Sequence, residues 1–191
     1  MSVYVRPYDW KDRDRVRLIC IATSDIKVRS ESKRQYILSL YCDYYIEKEP
    51  ESCFVAVDKN DETGEETVVG YILATCDCER YVKGFMKDYM PKIKHISKLL
   101  AFTAKGEAYV YSRYATFFPA HLHIDILPEY RRMGVGTALI NALKELLTQK
   151  RIKGVMLIVG VKNQAGISFY KKCGFSSLGK IGQGFAMGLD L

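Results

Sequence analysis

Hydrophobic and polar residues recur along this chain with two different periods, and each period predicts one kind of secondary structure. Alternation at every second residue, or a short apolar run between turn residues, is typical of a β-strand. Such segments occur at Val3–Arg6, Cys53–Asp58, Thr67–Thr75, His121–Leu127, Val155–Val161, Ser176–Leu178 and Phe185–Leu189. The pattern therefore predicts a sheet of about seven strands.

Apolar residues at helical spacing predict helices between these strands. The helical segments are Asp9–Thr23, Ile37 to just before Pro50, Gly136–Lys150 and Asn163–Cys173. Asp9 is expected to cap the first helix, and Gly174 is expected to end the last one. Helices that alternate with strands in this way predict an α/β fold, a mixed central sheet with helices on both faces.

Residues 78–118 follow neither period cleanly, and we interpret them as an insertion. Two stretches, Tyr81–Tyr89 and Lys92–Phe102, are helical in pattern and are separated by Pro91. The segment is rich in aromatic residues: Tyr81, Phe85, Tyr89, Phe102, Tyr109, Tyr111, Tyr114, Phe117 and Phe118. Two arrangements fit this composition. The rings either fill a small core inside a helical hairpin, or they form a lid that shapes a substrate pocket.

The chain has 191 residues, of which 48% are hydrophobic, and we expect one domain over residues 1–191. This composition excludes a disordered chain, a collagen-like repeat and a disulfide-rich miniprotein. The formal net charge is +7. The basic excess is concentrated in residues 80–113 and 131–172, so a site for a phosphorylated ligand fits it better than a uniform surface for nucleic acid.

Nothing in the sequence points to export or to a membrane. The first residues lack the apolar stretch of a leader, and no segment approaches the roughly 18 apolar residues of a membrane span. The six cysteines lie within periodic segments, which favours free buried thiols. Cys76 and Cys78 lack the spacing of a zinc site, so we expect no metal. These observations predict a cytoplasmic protein without a membrane or nucleic-acid partner.

A strand, a turn and a helix meet between Ile126 and Thr137, where the sequence contains Arg131-x-x-Gly134-x-Gly136. Glycine lets the backbone approach a ligand closely, and the first amides of a helix have no partner within it. Together they predict a cradle for a pyrophosphate, although a tight turn without a ligand would need the same glycines. The spacing differs from the Walker loop and from the dinucleotide-binding fingerprint.

The segment from Ile126 to Gly136 resembles the acetyl-CoA signature of the GNAT superfamily of N-acetyltransferases. Farther along, Asn163, Tyr170 and then Gly174-Phe175 are similar to the second motif of that family. The order of elements is also similar over nearly the whole chain apart from the insertion. The resemblance implies a GNAT-type mixed sheet and acetyl-CoA as co-substrate.

The resemblance also implies roles for individual residues. The backbone of Ile124 and Ile126 would pair with the pantetheine arm, and Asn163 would hydrogen-bond it. Tyr170 would lie near the thioester sulfur as a proton donor. The residues of the turn would hold the pyrophosphate: Arg131, Arg132, Met133, Gly134, Val135, Gly136 and Thr137.

An amine that attacks a thioester must first lose a proton, so a base or a base-activated water is needed. His121, His123 and Asp125 alternate onto one face of the predicted strand, opposite Leu122 and Ile124. We predict that His123 or Asp125 accepts this proton. A hydrogen-bonded network without catalytic function, or a route through solvent, remains an alternative.

The sequence therefore predicts an acyltransferase that moves the acetyl group of acetyl-CoA to a primary amine of a small molecule or a peptide by direct attack. The alternative is a CoA-binding or scaffold domain of the same fold with little or no activity. Either protein would be a monomer or a homodimer. The sequence does not identify the acceptor.

Overall fold

The computed structural model describes residues 2–24, 28 and 30–191 of the chain. Its strands are β1 (Ser2–Pro7), β2 (Phe54–Lys59), β3 (Glu66–Thr75), β4 (Ala120–Ile126), β5 (Gly154–Gly160), β6 (Ser176–Ile181) and β7 (Gly184–Asp190). Its α-helices are α1 (Arg13–Thr23), α2 (Glu31–Tyr41), α3 (Asp43–Lys48), α4 (Cys78–Asp88), α5 (Met90–Ile96), α6 (Lys98–Ser112), α7 (Val135–Gln149) and α8 (Gln164–Lys172).

In the described part of the chain the strands form a seven-stranded sheet with the order β1-β2-β3-β4-β5-β7-β6. Neighbouring strands are antiparallel except β4 and β5, which are parallel. The sheet is therefore mixed and carries helices on both faces, which confirms the predicted α/β class.

The strands divide their side chains between two cores, because alternate residues point to opposite faces of a sheet. On β3, Tyr71 and Leu73 pack in a core covered by α1 to α6. Ile72 and Ala74 pack on the other face, against α7 and α8. One face of the sheet is thus covered by the N-terminal helices and the insertion, and the other by the two helices that follow the glycine turn.

The first two predicted helices are more broken than their patterns suggest. Asp9 does form a cap, since its side chain accepts a hydrogen bond from the amide of Lys11 at 2.9 Å, but a 3-10 turn precedes α1. The second predicted helix divides at Cys42, where φ is −135° and ψ is −63°. This break redirects α3, so that Tyr44 and Tyr45 are both buried under the sheet.

The insertion is helical almost throughout and packs on the main core. Pro91 lies in the first turn of α5, where a missing N–H costs nothing, so the proline starts a helix there. The second helical stretch divides instead at Ser97, whose hydroxyl accepts from the amide of Leu100 and caps α6. Among the aromatic residues of the insertion, those buried in the same core as α1 to α3 are Tyr81, Phe85, Tyr89, Tyr111 and Phe118. The rings therefore extend the main core and do not form a separate one.

The cysteines form no disulfides among the described residues. All six cysteines are free thiols, five of them buried and Cys173 half-buried. Among the described residues, none of the helices has the length and apolar character that crossing a membrane requires.

Candidate active site

The parallel strands β4 and β5 separate soon after they meet. Within these two described strands, Ala120 pairs with Val155 and His121 pairs with Met156, and the pairing then stops. The amide of Leu127 donates to the carbonyl of Val69 on the β3 side at 3.0 Å. Since backbone groups alternate along an antiparallel strand, Ile124 and Ile126 direct theirs away from β3 and into the gap beside β5. The gap therefore has an unpaired strand edge along one wall.

Arg131 closes the outer end of this edge. Its Nε donates to the carbonyl oxygen of Ile126 at 3.0 Å, which satisfies the last acceptor of β4. The side chains of Ile124 and Ile126 are half-buried on the face covered by α7. A ligand that pairs with this edge would therefore find the backbone of Ile124 open, whereas the Ile126 carbonyl is already bonded to the turn.

The turn before α7 has an unusual backbone. Gly134 is the N-cap residue of α7 and has a φ of +82°, and Arg132 has a φ of +65°. The first amide bonded within the helix is that of Ala138, which donates to the carbonyl of Gly134 at 3.0 Å. The amides of Val135, Gly136 and Thr137 therefore have no acceptor within the helix, and they form the positive end of the helix dipole.

The two glycines of the turn are required for different reasons. At Gly134 a Cβ would meet nothing within 4 Å, so the left-handed backbone is what favours glycine there. At Gly136 a Cβ would lie 2.9 Å from Cζ of Phe169 and 3.3 Å from Cδ1 of Ile126. Gly136 therefore allows α8 and the end of β4 to pack closely against α7.

The second motif lies on α8, next to the turn. Asn163 is the N-cap residue of α8, and its Oδ1 accepts from the amide of Gly166 at 2.8 Å. The side-chain oxygen is therefore used in folding, and the Nδ2 group is the donor left for a ligand. Tyr170 packs against Phe169 and Phe175, with ring centroids 5.3 and 5.8 Å away.

Tyr170 is held in its neutral form. Burial, and next the negative charge of Asp125, raise the pKa of the Tyr170 phenol. A carboxylate on β4 thus acts on a phenol on α8, and the two predicted site residues lie close enough to influence each other. At neutral pH this phenol keeps its proton and can donate it.

The predicted base residues lie on the face covered by the N-terminal helices. Asp125 accepts a hydrogen bond from the Tyr71 hydroxyl, its cross-strand partner on β3, at 2.5 Å. His123 is half-buried, and its Nε2 lies 3.0 Å from the Tyr45 hydroxyl. Burial lowers the pKa of His123 from 6.5 to about 4, so the imidazole is neutral at pH 7.

One hydroxyl links both histidines of β4. The Tyr45 oxygen lies 2.8 Å from Nε2 of His121 and 3.0 Å from Nε2 of His123. A hydroxyl has one proton, so Tyr45 donates to at most one of these nitrogens and accepts a hydrogen bond from at least one of them. His121 is fully buried, stacks on Tyr111 with centroids 3.7 Å apart, and has its Nδ1 3.3 Å from Sγ of Cys78. At least one of the two imidazoles therefore carries its proton on Nε2.

The sequence pattern does not mark Tyr45, Tyr71 or Cys78 as members of this site. Two histidines on a buried strand do indicate that polar partners are needed, because burying them unpaired is costly. The chain has 14 tyrosines, however, and no local pattern selects the ones that fold back onto β4.

Comparison with known proteins identifies the family. The sequence model of the acetyltransferase (GNAT) family matches residues 17–175, which is most of the chain. The chain therefore belongs to the GNAT acetyltransferase family, which confirms the family that the sequence motifs indicate.

Two curated relatives match parts of the chain. An uncharacterized N-acetyltransferase of Methanocaldococcus jannaschii is 44% identical over 57 residues, which are 29% of this chain and 25% of that protein. An N-alpha-acetyltransferase of Sulfurisphaera tokodaii is 38% identical over 68 residues, 35% of this chain and 41% of that protein. The matches span less than half the length of either relative.

Solved structures agree over the whole chain. The crystal structure of SsHAT has a TM-score of 0.84 at 25% identity, covering 100% of this chain and 98% of that one. The PaiA N-acetyltransferase of Thermoplasma acidophilum, solved in complex with coenzyme A, has a TM-score of 0.58 at 19% identity, and the match covers 100% of both chains. The second likeness concerns the fold alone. The expected co-substrate, acetyl-CoA, agrees with the family.

Proposed function

We propose that this chain is an N-acetyltransferase that moves the acetyl group of acetyl-CoA to a primary amine of a small molecule or a peptide. The observation that carries the proposal is the gap between β4 and β5, which opens after His121 and leads to the free amides before α7. Acetyl-CoA supplies an acetyl group that is activated as a thioester. The side chains and backbone groups of this chain must bind both substrates, orient them and move the protons.

The residues around the gap fit such a molecule. The strand edge at Ile124 offers hydrogen-bonding groups to an amide-containing arm, as an added strand would use them. The amides of Val135, Gly136 and Thr137 suit a pyrophosphate, and the left-handed Gly134 leaves open space in front of them. The Nδ2 group of Asn163 adds a donor on the α8 side.

Two protons must move when an amine replaces a thiol. The amine loses a proton as its nitrogen bonds to the acetyl carbon, and the sulfur gains one as the carbon–sulfur bond breaks. Tyr170 is neutral and can donate the second proton. His123 is neutral and Asp125 lies two residues farther along β4, so either one, or a water that they bind, can accept the first.

The proposal is tested first by binding and then by turnover. Acetyl-CoA at 100 times its Kd should raise the free energy of unfolding by about 2.7 kcal/mol, and a thermal melt measures the shift. A thiol-release assay over polyamines, aminoglycosides, amino acids and peptides then identifies the acceptor. Tyr170→Phe should keep the thermal shift and lower kcat about 100-fold. No shift at millimolar acetyl-CoA would contradict the proposal.

One observation favours the alternative of a weak or inactive CoA-binding domain. The low pKa of His123 makes it a poor base for an ammonium group, which in solution holds its proton up to a pH of about 10. A protein of this second kind would give the thermal shift but release no thiol with any amine. Tyr170→Phe would then have no effect beyond stability.

A further inference from the structure

Glu107 is a half-buried carboxylate on α6, within the insertion. Its Oε2 accepts a hydrogen bond from the hydroxyl of Tyr41 on α2 at 2.9 Å. Among residues 2–24, 28 and 30–191, no lysine, arginine or histidine forms an ion pair with it. A carboxylate that is partly withdrawn from water and lacks a cation is costly, and burial correspondingly raises the pKa of Glu107.

The groups around this carboxylate are tyrosines from three helices. Burial, and next the charge of Glu107, raise the pKa of Tyr36 to about 12 and raise that of Tyr41 further. The same charge contributes to the raised pKa values of Tyr81 on α4 and Tyr111 on α6. These phenols keep their protons at neutral pH, so they do not offset the charge of Glu107, and the carboxylate attracts a positive group.

This cluster reaches the strand that carries the candidate base. The ring of Tyr41 meets the ring of His123 edge-on, with centroids 5.4 Å apart. His123 follows His121, the last residue of β4 that pairs with β5, by two positions. One tyrosine side chain therefore spans the distance from the carboxylate to the point where the gap opens.

We propose that Glu107 and Tyr41 form a subsite for a second ammonium group of the acceptor, so that the substrates are α,ω-diamines. This inference rests on the proposed function, in which the other amine is acetylated beside His123. The insertion is basic overall, yet it places the Glu107 carboxylate against Tyr41, which in turn contacts His123 on β4.

Equilibrium binding tests the subsite without depending on turnover. Titration calorimetry on the full chain, without acetyl-CoA, compares 1,4-diaminobutane with 1-aminobutane. The wild-type chain should prefer the diamine. Glu107→Gln should weaken diamine binding about tenfold or more and leave monoamine binding unchanged, since a charge-assisted hydrogen bond is lost. Glu79→Gln, an exposed change in the same insertion, is the matched control and should bind like the wild type.

A second variant separates a subsite from a structural role. Glu107→Asp keeps the charge but shortens its reach, so it should shift the preference toward 1,5-diaminopentane. Equal diamine affinities in the wild type and Glu107→Gln, or an unchanged length preference in Glu107→Asp, would overturn the inference. Because these measurements need no acetyl transfer, diamine binding without any thiol release would instead contradict the proposed function.

Discussion

The two sides of β4 are built in different ways. On the side of α7, the candidate site consists of backbone: the unpaired edge at Ile124, the left-handed Gly134 and the free amides of the first helical turn. On the side of the N-terminal helices it consists of side chains. Tyr45 contacts His123 and Tyr41 contacts Glu107, although the members of each pair lie far apart in the sequence.

This difference matches the demands of the two ligands that we propose. A pyrophosphate and an amide-containing arm can be bound by amides, which every residue except proline provides. An amine acceptor needs charge and proton acceptors at defined points, which only particular side chains supply. Ligand binding on the α7 side should therefore be sensitive to changes in backbone conformation and to added charge. The side of the N-terminal helices should instead be sensitive to the loss of single side-chain groups.

The largest effect is expected from Gly134→Glu, which places a carboxylate at the free amides of α7. Like charges in contact cost several kcal/mol, so the affinity for acetyl-CoA should fall about 100-fold or more. A titration followed by thermal melting measures this loss.

Gly64 provides a matched control for this substitution. It lies in the hairpin between β2 and β3 with a φ of +73°, and, as at Gly134, a Cβ there would meet nothing within 4 Å. Gly64→Glu should therefore cost the same backbone strain, about 1–2 kcal/mol, and leave acetyl-CoA binding unchanged. Equal losses of affinity in the two variants would mean that strain, and not a ligand site, makes Gly134 important.

The next effect is the pH dependence of the free energy of unfolding, which His123 contributes to. The folded pKa of His123 is about 4, below its ordinary value of 6.5, so between these values the unfolded chain binds more protons. The free energy of unfolding should therefore decrease as the pH falls from about 7 to about 4, by up to about 3 kcal/mol from this residue. His121, whose pKa is also lowered by burial, acts in the same direction.

Urea denaturation across this pH range measures the dependence. His123→Gln should make the curve flatter than that of the wild type. His95→Gln, at an exposed position on α5, is the control and should reproduce the wild-type curve. A wild-type slope in His123→Gln would show that the imidazole titrates normally and is not enclosed by the tyrosines.

The smallest effect is expected from Tyr45→Phe, which removes the hydroxyl shared by the two histidines. Both Nε2 atoms lose their partner in a buried site, so the free energy of unfolding should drop by about 1–3 kcal/mol.

Tyr8→Phe is the matched comparison for Tyr45→Phe. The Tyr8 hydroxyl is buried and makes no hydrogen bond with the described residues, so its removal should be neutral or slightly stabilising. Similar losses at both positions would mean that ring packing, and not the hydroxyl bridge, holds this region.

Much of the fold was predictable because it depends on local patterns. The alternation of His121 to Leu127 predicted a strand with two different faces, and the structure has one face on the tyrosines and the other on α7. The glycine turn predicted the start of α7 because a left-handed residue and free amides are local properties. The break at Cys42 was not predictable, since apolar residues continue through it at helical spacing. The break expected near Pro91 falls at Tyr89, between α4 and α5, whereas the division at Ser97 was not predictable because apolar residues continue across it at helical spacing.

By itself, the sequence determined the class of protein, the order of the elements and the motifs at Gly134 and Asn163, because each of these is encoded within a few neighbouring residues. Only the tertiary structure decided which tyrosines reach the histidines and where the carboxylate of Glu107 lies. These contacts join positions separated by 66 residues, as between Tyr41 and Glu107, or by 78, as between Tyr45 and His123. A periodic pattern reports which face of an element is buried, but the packing of helices on the sheet determines which side chains meet there.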